Sequence, residues 1–217
     1  MKLVLMSDTH GKRPLTVPDG DVLIHAGDLS MMGTLGQLQS SIRWLDSLPH
    51  KHKIVIAGNH DWLFQKAPSV ARQLFDRTSI TYLQDEQVEI EGLKFYGSPW
   101  QPEFCNWAFN LPRGGEGLRR KWDAIPDDMD VVITHGPAHG NVGGLLPWDQ
   151  EDVGCELLAQ RLEQIQPRLH VCGHVHCGYG LYPQGDVMHV NASAVDEQYL
   201  PVNDPVVYNL GAHDGQH

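Results

Sequence analysis

Lys53-Ile54-Val55-Ile56-Ala57-Gly58-Asn59-His60-Asp61 sets a short apolar run against a small residue and then a cluster of side chains with lone pairs to offer. The same grammar recurs on both sides of it. Residues 3–6 lead into Ser7-Asp8-Thr9-His10, and Val22–Ala26 leads into Gly27-Asp28. Val131–Thr134 leads into His135-Gly136-Pro137, and Leu169–Cys172 into Gly173-His174-Val175-His176. Continuous apolar runs of this length are the signature of strands buried on both faces. In open α/β sheets, ligands gather at the carboxyl ends of the strands. Five strands that each end in Asp, Asn or His therefore predict one shared site.

Helical periodicity fills the intervals. Leu35, Leu38, Ile42, Leu45 and Leu48 recur at spacings of three and four before Pro49, and Val153, Leu157, Leu158, Leu162 and Ile165 do so before Pro167. Shorter helices are expected after Ser69 and over 117–123. Further strands are expected at 88–90, at 93–96, at Val187–Asn191 and at Val206–Asn209. Strands alternating with helices, together with hairpin-like pairs, point to an α/β sandwich of two mixed sheets flanked by helices. No Pro/Gly/Ser linker interrupts the chain, so residues 1–217 read as one domain, with 211–217 as a frayed tail.

The composition excludes several classes. With 16 Lys+Arg against 27 Asp+Glu the chain carries a formal charge of −11, which argues against a stable nucleic-acid partner. No stretch approaches the apolar length of a membrane span. Four cysteines without a CxxC spacing read as reduced thiols of a cytoplasmic protein. The excess is in histidine, 13 in all, many of them beside Gly, Asp or Asn.

Asp8 and His10 are two residues apart, as are His174 and His176, so in extended chain each pair would present both side chains to one side. Glycines at 11, 27, 58, 136 and 173 leave room for backbone to approach an ion. Five fragments in this order, D-x-H, GD, GNHD, H and GHVH, resemble the motifs of the calcineurin-like metallophosphoesterases over essentially the whole chain. Gly97-Ser98-Pro99-Trp100, Phe109-Asn110-Leu111-Pro112-Arg113-Gly114 and Gly178-Tyr179-Gly180 are similar to the metallophosphoesterase-domain subgroup, relatives of the class III phosphodiesterases. The resemblance implies a four-layer sandwich and a two-ion centre. One ion would take Asp8, His10, Asp28 and His176; the other would take Asp28, Asn59, His135 and His174, with Asp28 bridging. Some members of the subgroup carry Gly where this chain has His174, and retention of the full set implies an active enzyme. Imidazole and carboxylate ligands suit Mn, Fe, Co, Ni or Zn better than Mg or Ca, and Mn is the metal expected.

The resemblance makes His60 the group that protonates the leaving oxygen or steadies the phosphoryl group, with Asp61 to orient it. Arg113, Asn110 and His139 are candidate substrate contacts; Arg113 could meet phosphate or a nucleobase, and Trp107 and Phe109 could supply a stacking wall. Trp100 reads as core. His25 reads as a core or supporting histidine rather than a ligand, His170 and His189 as structural, and His50, His52, His213 and His217 as solvated. Cys172 and Cys177 flank GHVH, yet the ligand count is complete without them. The function implied is hydrolysis of small phosphodiesters such as cyclic nucleotides by a metal-bridging hydroxide. The alternatives are a nucleotide-binding regulator with weak catalysis, a phosphomonoesterase or a protein phosphatase.

Overall fold

The structure, a computed structural model, describes residues 1–140 and 142–211; the expected tail lies outside them apart from Gly211, as do His213 and His217. Four strands, β1 (Lys2–Met6), β2 (Val22–Ala26), β3 (His52–Ile56) and β4 (Ile80–Tyr82), run parallel as neighbours. The hairpin β5 (Glu86–Ile90) and β6 (Leu93–Ser98) opens a second sheet, and β7 (Gln101–Pro102) with β8 (Asn110–Leu111) forms a short parallel pair apart from both. The second sheet continues with β9 (Val131–Thr134), β10 (Leu169–Cys172), β11 (Gly180–Gln184) and β12 (Val187–Asn191). The last strand, β13 (Val206–Asn209), returns to the first sheet, antiparallel to β1. The orders are β13-β1-β2-β3-β4 and β11-β12-β10-β9-β6-β5, so both sheets are mixed.

Side-chain alternation along the strands makes four layers. Leu3, Leu5, Ile24, Ile54 and Ile56 of one sheet meet Phe95, Val131, Ile133 and Val171 of the other in a buried cluster between the sheets. The opposite pleat of the first sheet, with Val4, Met6, Leu23 and Val55, packs on Leu38, Ile42 and Leu45 of α1 (Leu35–Ser47) and on the short helices α2 (Trp62–Lys66) and α3 (Pro68–Gln73). Tyr96 and Val132 on the outer face of the second sheet pack on Leu118 and Trp122 of α4 (Glu116–Asp123) and on Leu158 and Leu162 of α5 (Glu156–Ile165). Each such side chain contributes roughly 1.5–3 kcal/mol by leaving water, and burial on both faces is why the runs read as continuous.

Two differences from the sequence expectation have local causes. Helix α5 starts at Glu156 rather than near Val153, because the Cys155 N–H is taken by the Pro137 carbonyl at 2.9 Å in a bridge to Ala138. His50 is buried, its Nε2 bonded to the Pro18 carbonyl at 2.9 Å, and not solvated. Among the described residues no helix is long and apolar enough to cross a membrane.

Candidate metal centre

The carboxyl ends of β1, β2 and β3 in one sheet and of β9 and β10 in the other converge on one spot, and each contributes a polar residue within three positions of its last strand residue. The chain there is bent rather than extended. Asp8, His10, Asp28 and His174 all have left-handed backbone, with φ of 53°, 47°, 55° and 67°. Residues other than glycine visit that region rarely, and clusters of them mark sites where geometry is imposed by function. Left-handed turns at Asp8, His10 and His174, not an extended chain, therefore set where these side chains point. His174 and His176 in fact serve different groups of side chains.

The first group is Asp8, His10 and His176, with Asp28 at its edge. His10 Nε2 lies 3.4 Å from His176 Nε2 and 3.7 Å from Asp28 Oδ2, and His176 Nε2 lies 3.7 Å from Asp8 Oδ1. The second group is Asp28, Asn59, His135 and His174. Asn59 Oδ1 lies 2.8 Å from His135 Nε2 and 2.9 Å from His174 Nδ1, and His135 Nε2 lies 3.5 Å from Asp28 Oδ2. Asp28 Oδ2 therefore belongs to both. Ligands held at about 2.0–2.2 Å from one ion at angles near 90–120° would stand roughly 3–3.7 Å apart, so the spacings of the first group and of Asp28, Asn59 and His135 fit an ion each, while His174 meets the second group through Asn59.

The carboxylates are half-engaged. Asp8 Oδ2 accepts from Ser193 Oγ and from the His174 N–H, both at 2.9 Å, while its buried Oδ1 has no partner. Asp28 Oδ1 accepts the His60 N–H at 2.8 Å, leaving Oδ2 to the imidazoles. A neighbouring carbonyl fixes each tautomer where the ring N–H is spoken for. His135 Nδ1 donates to Ala26 O and His176 Nδ1 to Asp196 O, both at 2.9 Å, so both rings turn Nε2 inward. A glycine with no Cβ is required at 173, where a side chain would collide with Asp8 Oδ2 and Ser7, and at 58, where it would strike Asp28.

Electrostatics follow from this crowding. Burial pushes the Asp28 carboxyl up, but the facing His135 outweighs it and holds it at about 2. Burial pulls His135 down in turn, yet Asp28 raises it to about 9. Burial, reinforced by His135, takes His174 down to about 3. Burial would also raise Asp8, but the neighbouring imidazoles of His176, His135 and His10 hold it well below the carboxylate range. Buried acids of this kind ask for a cation, and the proton on His135 supplies part of what a divalent ion would supply in full.

His60 sits beside the first group. Its Nδ1 donates to the Met31 carbonyl at 2.7 Å and its Nε2 stands 4.0 Å from Asp28 Oδ2, close enough to form a further possible ligand group with His10 and Asp28. Asp61 does not orient it. That buried carboxylate accepts from the N–H groups of Leu29, Ser30 and Gly58 and from the Ser30 hydroxyl, tying the β2 and β3 loops together. The orienting groups are the Met31 carbonyl and Trp107, which stacks on His60 at 4.1 Å between ring centroids. Tyr199 is a further residue of the site, and nothing in the sequence marks it. Its ring packs edge-on against His10 at 4.8 Å and His176 at 5.3 Å, from a left-handed backbone of φ 58°.

A cavity of about 510 Å³ opens above the two groups and takes in Asp28, Asn59, His60, His174, His176 and Arg113. Arg113 is committed elsewhere: its Nη1 meets both Glu156 carboxylate oxygens and Gly154 O, and its Nη2 meets Val153 O. Asn110 is a loop fastener that donates to the Phe104 and Cys105 carbonyls. His139 pairs with Asp152 at 3.3 Å and lines a different cavity, shared with His189. His170 bridges Thr134 Oγ1 and His189 Nδ1 within the core, and His25 contacts Thr9 Oγ1 behind the site. Trp100 is half-buried, its indole N–H donating to Asp85, and neither Cys172 nor Cys177 joins a possible ligand group.

Comparison with known proteins agrees with this geometry. Residues 1–178 match the family model described as Calcineurin-like phosphoesterase. The chain is 43% identical over 232 residues to human Metallophosphoesterase domain-containing protein 1, covering 96% of this chain and 71% of that protein. It is 36% identical over 236 residues to a UPF0046 protein of Caenorhabditis elegans, covering 100% and 83%. The crystal structure of TT1561 of Thermus thermophilus shares the fold, with a TM-score of 0.60 at 13% identity over 88% of each chain.

Proposed function

The chain belongs to the calcineurin-like phosphoesterase family, and from that premise we propose that it hydrolyses phosphodiesters, with cyclic nucleotides or similar small diesters as substrates and Mn²⁺ as the metal. The carrying observation is Asp28 Oδ2, one untethered carboxylate oxygen facing His10 and His135, which belong to the two separate ligand groups. Asp8, His10, Asp28 and His176 would hold one ion, and Asp28, Asn59, His135 and His174 the other. Two bound divalent ions would polarise the phosphoryl oxygens and lower the pKa of a water for attack.

The chain's own groups do the rest. The carbonyls of Ala26 and Asp196 keep the ligand rings from turning. His60, pinned by Met31 and Trp107, holds its Nε2 toward the cavity where a leaving oxygen would need a proton. The preference for diesters comes from the shortage of cations: among the described residues lining the cavity Arg113 is the one Lys or Arg, and Glu156 already neutralises it. A dianionic monoester gains no second clamp there.

The test is metal-stripped protein reloaded with Mn²⁺, Co²⁺, Ni²⁺ or Mg²⁺ and assayed on bis(p-nitrophenyl) phosphate, p-nitrophenyl phosphate and the 2′,3′- and 3′,5′-cyclic nucleotides. The expected result is two ions per chain, more activity with the first three metals than with Mg²⁺, and a higher kcat/KM for diesters. A single ion with full activity, or a monoester advantage, would overturn the reading in favour of another phosphatase chemistry.

A further inference from the structure

The cavity wall beside the metal centre contains a buried acceptor that none of the described residues satisfies. Gln101 opens β7, is 1% exposed and lines the cavity, and its Oε1 has no hydrogen-bond partner. Which end of an amide is oxygen has to be argued from its neighbours, and here the neighbours decide. Asn110 must turn its NH₂ toward the carbonyls of Phe104 and Cys105, at 2.9 and 3.3 Å, because a carbonyl can only accept. Its Oδ1 then faces Gln101 at 3.1 Å and can only accept in turn, so Gln101 gives it the amide nitrogen. Oε1 is what remains. Gly136, which follows His135, packs closely on this side chain: a Cβ there would stand 3.3 Å from the Gln101 Cβ and 3.7 Å from Oε1.

A buried acceptor left unmade is costly, and such atoms concentrate where function needs them. The rest of this wall indicates what would meet it. Glu103, Glu151 and Glu197 line the cavity, and its one guanidinium is consumed by Glu156 and two carbonyls. The wall therefore offers acceptors and negative charge, which suit a ligand rich in N–H donors and repel a second anion. Flat apolar surface is supplied by Trp107 and by Phe104, the latter 55% exposed.

We propose that Gln101 reads the organic group of the substrate, its Oε1 accepting a hydrogen bond from an amino group on an aromatic base. Asn110 is the positioning residue that keeps oxygen, rather than nitrogen, turned to the ligand. This rests on the phosphodiesterase reading above and names the part of the substrate that reading leaves open.

The experiment uses the Mn²⁺-loaded full chain and two pairs of substrates in which the exocyclic amino donor becomes a carbonyl acceptor and the adjacent ring acceptor becomes an N–H: cytidine against uridine 2′,3′-cyclic phosphate, and adenosine against inosine 2′,3′-cyclic phosphate. The amino member of each pair is expected to have the higher kcat/KM, by about tenfold, the worth of one well-made hydrogen bond. Gln101→Met should bring both ratios close to one, and Asn110→Ala should lower them by freeing the amide to turn over. Each ratio is internal to one protein, so a loss of folded enzyme cancels. Wild-type ratios near one, a preference for the carbonyl member, or ratios that persist in Gln101→Met overturn the inference. Cleavage of bis(p-nitrophenyl) phosphate without any cyclic nucleotide also overturns it but leaves the diesterase reading standing. If no diester at all is cleaved, that reading falls as well.

Discussion

The floor of the cavity and its facing wall are built from different materials. The floor is made of residues that follow strands directly. Asp8, Asp28 and His135 are at most 1% exposed, and their unused atoms are tied to main chain or to Ser193. The wall is made of connecting segments around residues 101–113, 146–153 and 197–199, where Phe104 is 55% and Trp148 64% exposed. The comparison teaches where each task is placed. Chemistry that fails when atoms move by an ångström sits on the sheets, whereas selection among organic groups is left to loops that can vary without disturbing the ions.

The hardest blow to the floor is Asp28→Ala. Asp28 Oδ2 faces both ligand groups, so its loss should weaken both ions together. Metal-assisted charge stabilisation is worth several kcal/mol, so activity should fall by about 10³-fold or more. Metal analysis after dialysis should find less than one ion per chain. Retention of two ions would show that the bridge is not Asp28 and that the floor is divided differently.

His60→Ala separates the acid from the ligands. His60 borders the first group at 4.0 Å from Asp28, further out than His10 at 3.7 Å. The variant should keep two ions while kcat on a cyclic nucleotide or alkyl diester, whose alkoxide needs a proton to leave, falls roughly 10²–10⁴-fold. Loss should be smaller for a substrate whose leaving group needs no proton, which a p-nitrophenyl against an alkyl ester comparison measures. If metal is lost as readily as in Asp28→Ala, His60 is part of the floor as a ligand, and the role proposed for it is void.

Legibility in the sequence follows the same division. β1, β2, β3, β9 and β10 announce themselves because burial on both faces makes them largely apolar, with His25 and His170 as interruptions, and the polar residues after each run are then conspicuous. Even here the physical reason differs from the simplest one, because left-handed turns at Asp8 and His10, not an extended chain, bring their side chains together. In the wall, nothing comparable exists. Tyr199 and Gln101 are single residues without periodicity; Tyr199 depends on contacts with His10 and His176 far away in sequence, and Gln101 on a contact with Asn110 across a loop. Edge strand β11 contains a Gly and a Pro and is half exposed, so it carries no strand signal, and α2 is too short to show a period. Arg113 and Asn110 are conspicuous by type and by their Pro/Gly-rich surroundings, but type does not reveal that Glu156 or a main-chain carbonyl has already claimed the side chain.

Arg113 gives the mildest and most discriminating test of the division. Its fork joins the loop after β8 to the segment before α5, through Val153 O at 2.7 Å, Gly154 O at 2.8 Å and Glu156 at 2.9 Å. The ion pair is about two-fifths exposed on both sides and by itself is worth little. The carbonyl bonds are what span the wall, and a lysine, with all its donors on one nitrogen, does not reproduce a fork whose Nη1 and Nη2 meet different carbonyls. Arg113→Lys should therefore raise KM for bis(p-nitrophenyl) phosphate by about 3–10-fold with kcat nearly unchanged, as expected when positioning of bound substrate is lost without any change at the reacting atoms. Glu156→Gln, which leaves both carbonyl bonds in place, should have less effect than Arg113→Lys. Were the guanidinium a phosphate clamp instead, the order would reverse. Releasing it from Glu156 would then improve binding, above all of p-nitrophenyl phosphate, and Arg113→Lys would lower kcat on both substrates. That pattern would carry part of the chemistry up into the wall and dissolve the distinction between it and the floor.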